Sequence, residues 1–215
     1  RICSATSQSG STHPEPIPPR PREVTPAPKE QTMFWDADES GQNYIQIEND
    51  GLTVTKDTGN IEMNASAYSN FQLSSGKWYF EAEVLEVLKG TGLRVGIASI
   101  VGREPEDGVT GEPSYGYGFI GEVQMHVDGS FARGTQDTER VREGDTVGVA
   151  LNLDDGIIYF YVNGQYQSLQ NIEVGGISYS ALFHGNKVSN GTIKANFGFS
   201  DFKYNPPAGY DPIDE

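Results

Sequence analysis

Gly144-Asp145-Thr146-Val147-Gly148-Val149-Ala150-Leu151-Asn152-Leu153-Asp154-Asp155-Gly156-Ile157-Ile158-Tyr159-Phe160-Tyr161-Val162-Asn163-Gly164 carries two apolar runs, each closed by a turn dipeptide. Asp155-Gly156 and Asn163-Gly164 supply the positive-φ residues that tight hairpin turns need. Gly144-Asp145 turns the chain into the first run, and Gly148 marks a place where neighbouring backbones approach closely. The stretch therefore reads as an antiparallel hairpin that hands on to a third strand. The same grammar recurs on both sides of it. Tyr44-Ile45-Gln46-Ile47 alternates, Asn49-Asp50-Gly51 turns, and Leu52-Thr53-Val54 alternates again. Lys77–Val84 is a longer strand, and Leu93–Ala98 follows, its Gly96 a close-packing position or bulge. Turn signals recur every 8 to 15 residues, and no 12-residue window shows a helical stripe. Many short strands joined by polar turns make an antiparallel sandwich or barrel.

Composition points the same way. The 215 residues include 26 Gly and 12 Pro, which disfavour a helical bundle, and 23 aromatics, which suit a pleated, half-buried surface. The formal net charge of −15 opposes nucleic acid, whose phosphates need clustered Lys and Arg, and opposes an anionic membrane surface. The single cysteine, Cys3, forms no intrachain disulfide and leaves no Cys-ligated zinc site. No apolar run reaches the roughly 20 residues of a membrane span. The opening residues lack the apolar core of a signal peptide and start at Arg1, as a processed or excised piece would. A reducing interior or a virus particle both fit.

The domain boundary is a shift in composition. Seven of the twelve prolines lie in residues 1–30, with few large apolar side chains. Such a segment cannot offset its ordering entropy by burial, so residues 1–31 are expected to be an extended arm or linker. A polyproline-binding groove could read it, although a spacer is the simpler reading. Its charges sum to +1, four basic against three acidic, which leaves −16 on the rest. Residues 32–215 are expected to form one β-sandwich.

Motifs for chemistry are weak. Asp36-Ala-Asp38-Glu-Ser40-Gly41 begins like a calcium loop, but its twelfth position is Ile47, not a bidentate Glu. Glu81-Ala-Glu83-Val-Leu-Glu86 resembles the acid/nucleophile strand of laminarinase-type glycosidases, with Glu81 and Glu83 on one face. Glu83 replaces that motif's Asp, and few aromatics flank the strand to stack on sugars. A solvated strand face is the simpler reading. His13, His126 and His184 build no catalytic or metal triad, with His126 decorating a hairpin and His184 in an exposed loop. No nucleophile elbow or phosphate-binding P-loop occurs. No metal or cofactor is expected. Sequons at Asn64 and Asn190 carry little weight without a signal peptide.

Several motifs in order resemble the SPRY (B30.2-like) domain. Gly76-Lys77-Trp78-Tyr79-Phe80-Glu81 looks like its opening strand, Gly92–Ala98 like its "VGIA" strand, and Ser114–Gly118 like its "YGY" segment. Gly144–Asp154 with Ile157–Gly164 resembles its most diagnostic stretch, and Asn196-Phe197-Gly198 its closing strand. The resemblance runs from about Phe34 to Ile213. It implies an all-β concanavalin-like jelly roll, an antiparallel sandwich of SPRY type, behind the Pro-rich arm. Phe34-Trp35-Asp36, Asn49–Val54 and the tail Phe202–Tyr210 resemble SPRY modules of phage and bacterial proteins, though several eukaryotic members share them. Val101–Pro113 has no family signature.

The resemblance further implies a non-enzymatic recognition module that binds a protein or peptide with loops at one end of the sandwich. Carried over by position, that surface takes in the loop Asp57–Tyr68 and Arg103, Glu104, Tyr115, Tyr117, Phe183, His184 and Asn186. Strand packing is the equal alternative for the two tyrosines. The setting expected first is a binding module joined through residues 1–31, the Pro-rich arm, to a larger assembly, as in a phage or viral structural protein that presents it to a host or capsid partner. An intracellular adaptor capturing a short peptide is the second reading. A glycan-binding or glycan-cleaving jelly roll using Glu81, Glu83 and Glu86 is the third. Neither nucleic acid nor membrane insertion is expected.

Overall fold

A computed structural model describes residues 30–36, 43–59, 62–89, 92–99 and 112–214. These residues form no helix. Their strands are β1 (Trp35–Asp36), β2 (Ile45–Ile47), β3 (Thr53–Lys56), β4 (Ala65–Ser69), β5 (Lys77–Lys89), β6 (Leu93–Ala98), β7 (Ser114–Gly118) and β8 (Glu122–Val127). There follow β9 (Ser130–Gln136), β10 (Thr146–Asn152), β11 (Ile157–Val162), β12 (Gln165–Asn171), β13 (Ser180–Gly185), β14 (Asn190–Asn196) and β15 (Asp211–Pro212). One sheet has the order β1-β4-β13-β6-β7-β8-β9 and the other β12-β11-β10-β5-β14-β3-β2. Pairing is antiparallel throughout, except where β15 runs parallel beside Trp78 and Tyr79 of β5. The all-β sandwich is therefore present. The Pro-rich arm, residues 1–31, and the calcium-like loop at 36–41 lie almost wholly outside the described residues.

The quoted hairpin forms as read. Val147 pairs with Val162 and Asn152 with Ile157, and Asn163 and Gly164 both have positive φ. On its other side β10 pairs with β5, Gly148 opposite Glu81. Alternation then sends Phe80, Ala82, Val84, Val147, Val149, Ile158 and Phe160 inward.

Phe197 anchors the core, with the rings of Trp35, Phe71 and Phe80 at centroid distances of 5.5, 5.1 and 5.7 Å. Burying each such ring contributes about 2–3 kcal/mol. Trp78 is only half-buried and donates its indole N–H to the Ser75 carbonyl at 2.7 Å. Gly96 is the close-packing position expected, since a methyl there would collide with the Tyr115 carbonyl oxygen. Gly148 differs from expectation, because what approaches it is the Tyr79 hydroxyl rather than a neighbouring backbone. Part of the span read as the loop Asp57–Tyr68 is strand, because Ala65–Ser69 pairs with both β1 and β13.

Candidate recognition site

The sequence Ser114-Tyr115-Gly116-Tyr117-Gly118 builds the site by alternation. Both tyrosines point between the sheets and both glycines point outward. Tyr115 and Tyr117 are 2% and 0% exposed, and Phe183 is fully buried in the same core. These three side chains therefore present no surface to a partner, which corrects the expectation for them. The Tyr117 hydroxyl donates its one proton to the Glu139 carbonyl at 2.7 Å and lies 2.7 Å from Thr138 Oγ1, and the Tyr115 hydroxyl accepts from Glu173 N–H at 3.1 Å. They are core residues with a satisfied polar tip.

Outward positions of the seven-stranded sheet line up across its strands. One row reads Ser66, His184, Arg94, Gly118, Glu122, and the next reads Tyr68, Leu182, Gly96, Gly116, Gln124. Gly96, Gly116 and Gly118 thus form a floor without side chains. The Arg94 stem lies against Gly116 and the Gln124 amide against Gly118, where added methyls would sit 3.1 and 2.8 Å from them. Gln124 donates to Glu122 Oε1 at 2.8 Å.

His184 occupies this face and not an exposed loop. It is 8% exposed, its Nδ1 lies 2.9 Å from Ser66 Oγ, and Arg94 stands opposite it. Burial, then the charges of Arg94, His126 and Lys56, hold its pKa well below the usual histidine range. Burial and Arg94 likewise bring His126 down to about 4, against an opposing pull from Glu112. Both rings are neutral at pH 7.

The accessible rim of this face is the β8–β9 hairpin, turned at Asp128-Gly129. Phe131 is 49% exposed beside His126, their ring centroids 5.1 Å apart. The Arg133 guanidinium lies 5.8 Å from the Phe131 centroid, and its Nε is 3.4 Å from Glu122 Oε1. An exposed aromatic backed by an arginine is the chemistry that anchors protein interfaces. The sequence reading missed Phe131 and Arg133. The signal was available in Ser130-Phe131-Ala132-Arg133, which puts two large side chains on one face just after a hairpin turn.

Asn186 lies at one end of the sandwich, in a loop held from within. Lys56 is fully buried and donates from Nζ to the carbonyls of Asn186 and Ser189 and to Asn190 Oδ1. Burial lowers its pKa to about 8. Asn186 Oδ1 accepts from Val188 N–H and Ser189 Oγ, and Gly92 N–H donates to Ser189 Oγ at 2.7 Å. Asn190 is buried in this network, so the second sequon is closed in the folded chain. Arg103 and Glu104 lie outside the described residues. Among the described residues, Ser99 N–H donates to the Pro113 carbonyl just beyond the Ala98–Ser114 pair. That is the opposite end of β6 from Asn186, whose N–H bonds to Gly92. A six-residue strand separates the two ends by roughly 20 Å.

The carboxylates of β5 face outward from the eight-stranded sheet. Glu81 is 3% exposed and accepts three hydrogen bonds, from Tyr79 Oη (3.1 Å), Lys203 N–H (2.8 Å) and Tyr204 N–H (2.9 Å). Glu83 lies 3.9 Å from Lys203 Nζ. Glu81 is thus engaged in holding the tail to the sheet.

The class defined by these features is a two-sheet antiparallel β-sandwich with one glycine-floored outer face. The SPRY domain family model matches residues 77–194, more than half of the chain, and the chain belongs to that family. Solved structures agree in fold. The SPRY domain of human HERC1 is 15% identical, with a TM-score of 0.58, and the match covers 75% of this chain and 96% of that one. The TRIM65 PSpry domain is 14% identical, with a TM-score of 0.53 and coverages of 76% and 91%. Neither carries the phage or viral setting, which rests on the flanking resemblance alone.

Proposed function

We propose that this chain is a non-enzymatic recognition module that binds a protein or peptide through the rim of the seven-stranded sheet. Phe131 and Arg133 are the central contacts, with His126 beside them. The observation that carries this reading is the exposed Phe131–Arg133 pair at the margin of the glycine floor. Family membership supports a recognition role, since SPRY domains are protein-interaction modules. Against a glycosidase stands Glu81, whose carboxylate is committed to two backbone amides and a tyrosine. A phage or viral host-recognition protein and an intracellular peptide adaptor are both settings in which such a module serves.

The test is selection of binders from a displayed peptide library on the intact chain, followed by affinity measurement on variants. Phe131→Ala and Arg133→Ala are each expected to weaken the selected peptides at least tenfold, with the melting temperature unchanged in Phe131→Ala and lowered in Arg133→Ala, which leaves the buried Glu122 carboxylate without its cation. Affinities unmoved by both substitutions would refute this assignment of the surface.

A further inference from the structure

Tyr159, Tyr161, Tyr166 and Leu169 share the outer face of the eight-stranded sheet at its β11–β12 margin. The register sets Tyr161 opposite Tyr166 and Tyr159 opposite Leu169, while Ile158, Phe160 and Val162 alternate inward to the core. Tyr166 and Leu169 are 55% and 43% exposed, and Tyr159 and Tyr161 are half-buried. The tail extends the patch. Tyr210 packs edge-on to Tyr159 at a centroid distance of 6.5 Å, as Tyr166 does to Tyr161 at 6.1 Å. The Tyr204 ring lies against Gly164, in the turn between the two strands. Among the described residues, nothing hydrogen-bonds to the hydroxyls of Tyr159, Tyr161 or Tyr166.

Ring faces tipped with hydroxyl donors suit a polyproline II segment. Such a segment offers flat apolar pyrrolidine rings, and its carbonyls make no internal hydrogen bonds. Charge contributes little here, because Lys77 meets Asp155 and Lys203 meets Glu83, each at 3.9 Å. The match is one of shape and stacking.

The chain itself carries a segment of this kind. Pro14-Glu15-Pro16-Ile17-Pro18-Pro19-Arg20-Pro21-Arg22 holds five prolines in nine residues. At three residues per turn, Pro16 and Pro19 fall on one edge of a polyproline II helix and Pro18 and Pro21 on the next. Along each edge the repeat is about 9 Å. The diagonal from Tyr159 to Tyr166 across their paired strands is about 8 Å, so successive prolines of one edge meet successive rings.

Reach fits as well. The arm joins the sandwich at Thr32, whose N–H and Oγ1 bond to Asp214, close after Asp211 of β15. From β15 across β5, β10 and β11 to β12 is about 20 Å. Residues 22–30 extend to about 30 Å at most. A tether this short gives the arm an effective concentration on the order of millimolar at the face.

We infer that the tyrosine face of β11 and β12 is the seat of this chain's own N-terminal arm, with Pro16, Pro18, Pro19 and Pro21 lying on Tyr159, Tyr161 and Tyr166. This face is on the opposite sheet from Phe131 and is independent of the contact proposed there.

The experiment titrates a labelled, capped peptide of residues 14–24 with the full chain and with a full-length arm variant, Pro16→Gly/Pro18→Gly/Pro19→Gly/Pro21→Gly. In wild type the tethered arm competes with the peptide, so the arm variant is expected to bind it at least tenfold more tightly. Adding Tyr166→Ser, at an exposed position, is expected to weaken that binding at least tenfold, whereas adding Phe131→Ala leaves it unchanged. A second measurement uses no peptide: trypsin cleavage after Arg22 in the otherwise wild-type chain should run at least tenfold faster in Tyr166→Ser. Equal affinity of wild type and arm variant, no binding by the arm variant, or indifference of either measurement to Tyr166→Ser would overturn the inference. So would a concentration-dependent dimer lost in the arm variant, which would seat the arm on a second copy.

Discussion

At Gly148 the identity of one residue decides whether a neighbouring hydrogen bond forms. A methyl there would lie 2.5 Å from the Tyr79 hydroxyl oxygen, which donates to Glu81 Oε1. Burial and the Glu81 charge both raise the Tyr79 pKa, so the hydroxyl stays protonated as donor. Gly148→Ala is expected to cost about 1–3 kcal/mol, the usual penalty for overpacking a filled site. Adding Tyr79→Phe removes the clashing oxygen, so the double variant should recover part of that loss in urea denaturation. Simple additivity of the two losses would show that the clash is not the cause. Glu81→Gln leaves one acceptor oxygen where the carboxylate takes three hydrogen bonds. It should cost about 1–3 kcal/mol through unsatisfied donors, with peptide affinity unchanged. A glycan-hydrolysing activity present in wild type and lost in Glu81→Gln would reverse the non-enzymatic reading.

At the scale of the element, strands and turns were legible because turn chemistry is local. Asp155-Gly156 and Asn163-Gly164 announce their own geometry, and Lys77–Val84 announces a strand by composition. The facing of side chains was harder to read. Tyr115 and Tyr117 alternate with glycine, and alternation alone does not say which face is buried. The two outward glycines were the usable clue, since a strand with bare outward positions makes a floor for other side chains. Leu85 and Leu88, turned to solvent at bulges opposite β14, were illegible, because a bulge exists only relative to a partner strand. The row Ser66, His184, Arg94 carries a pH prediction. Burial and Arg94 depress both His184 and His126, so between pH 6.5 and about 4 the unfolded chain binds more protons than the folded one. Stability should therefore fall as pH drops through 6.5, read as a falling urea midpoint. Replacing both histidines with Gln should flatten that dependence. A slope unchanged in the double variant would assign the effect to carboxylates instead.

On the scale of the whole molecule, the sandwich is closed by segments outside the family match. Residues 77–194 omit Trp35, β3, β4 and Phe197, all of which serve the same core and sheets. The two flanks meet at Asp214, which is 1% exposed. Its Oδ2 accepts from Thr32 N–H and Met33 N–H at 3.1 Å, and its Oδ1 from Thr32 Oγ1 at 2.8 Å. Ile213 and Asp214 in turn donate their N–H groups to the Phe197 carbonyl at 2.8 Å. One carboxylate thereby fastens the entry of the chain to its exit, directly behind the Trp35–Phe197 ring pair. Asp214→Ala leaves the two amides and the Thr32 hydroxyl without that acceptor, an expected loss of about 2–4 kcal/mol. At roughly 2–4 °C per kcal/mol for a domain of this size, the melting temperature should fall by about 5–15 °C. Asp214→Asn, which keeps one acceptor oxygen, should fall between wild type and Asp214→Ala. Because the clasp lies on neither proposed contact surface, both variants should keep full peptide affinity below their melting temperatures. Calorimetry that finds Asp214→Ala as stable as wild type would show that core packing alone closes the sandwich.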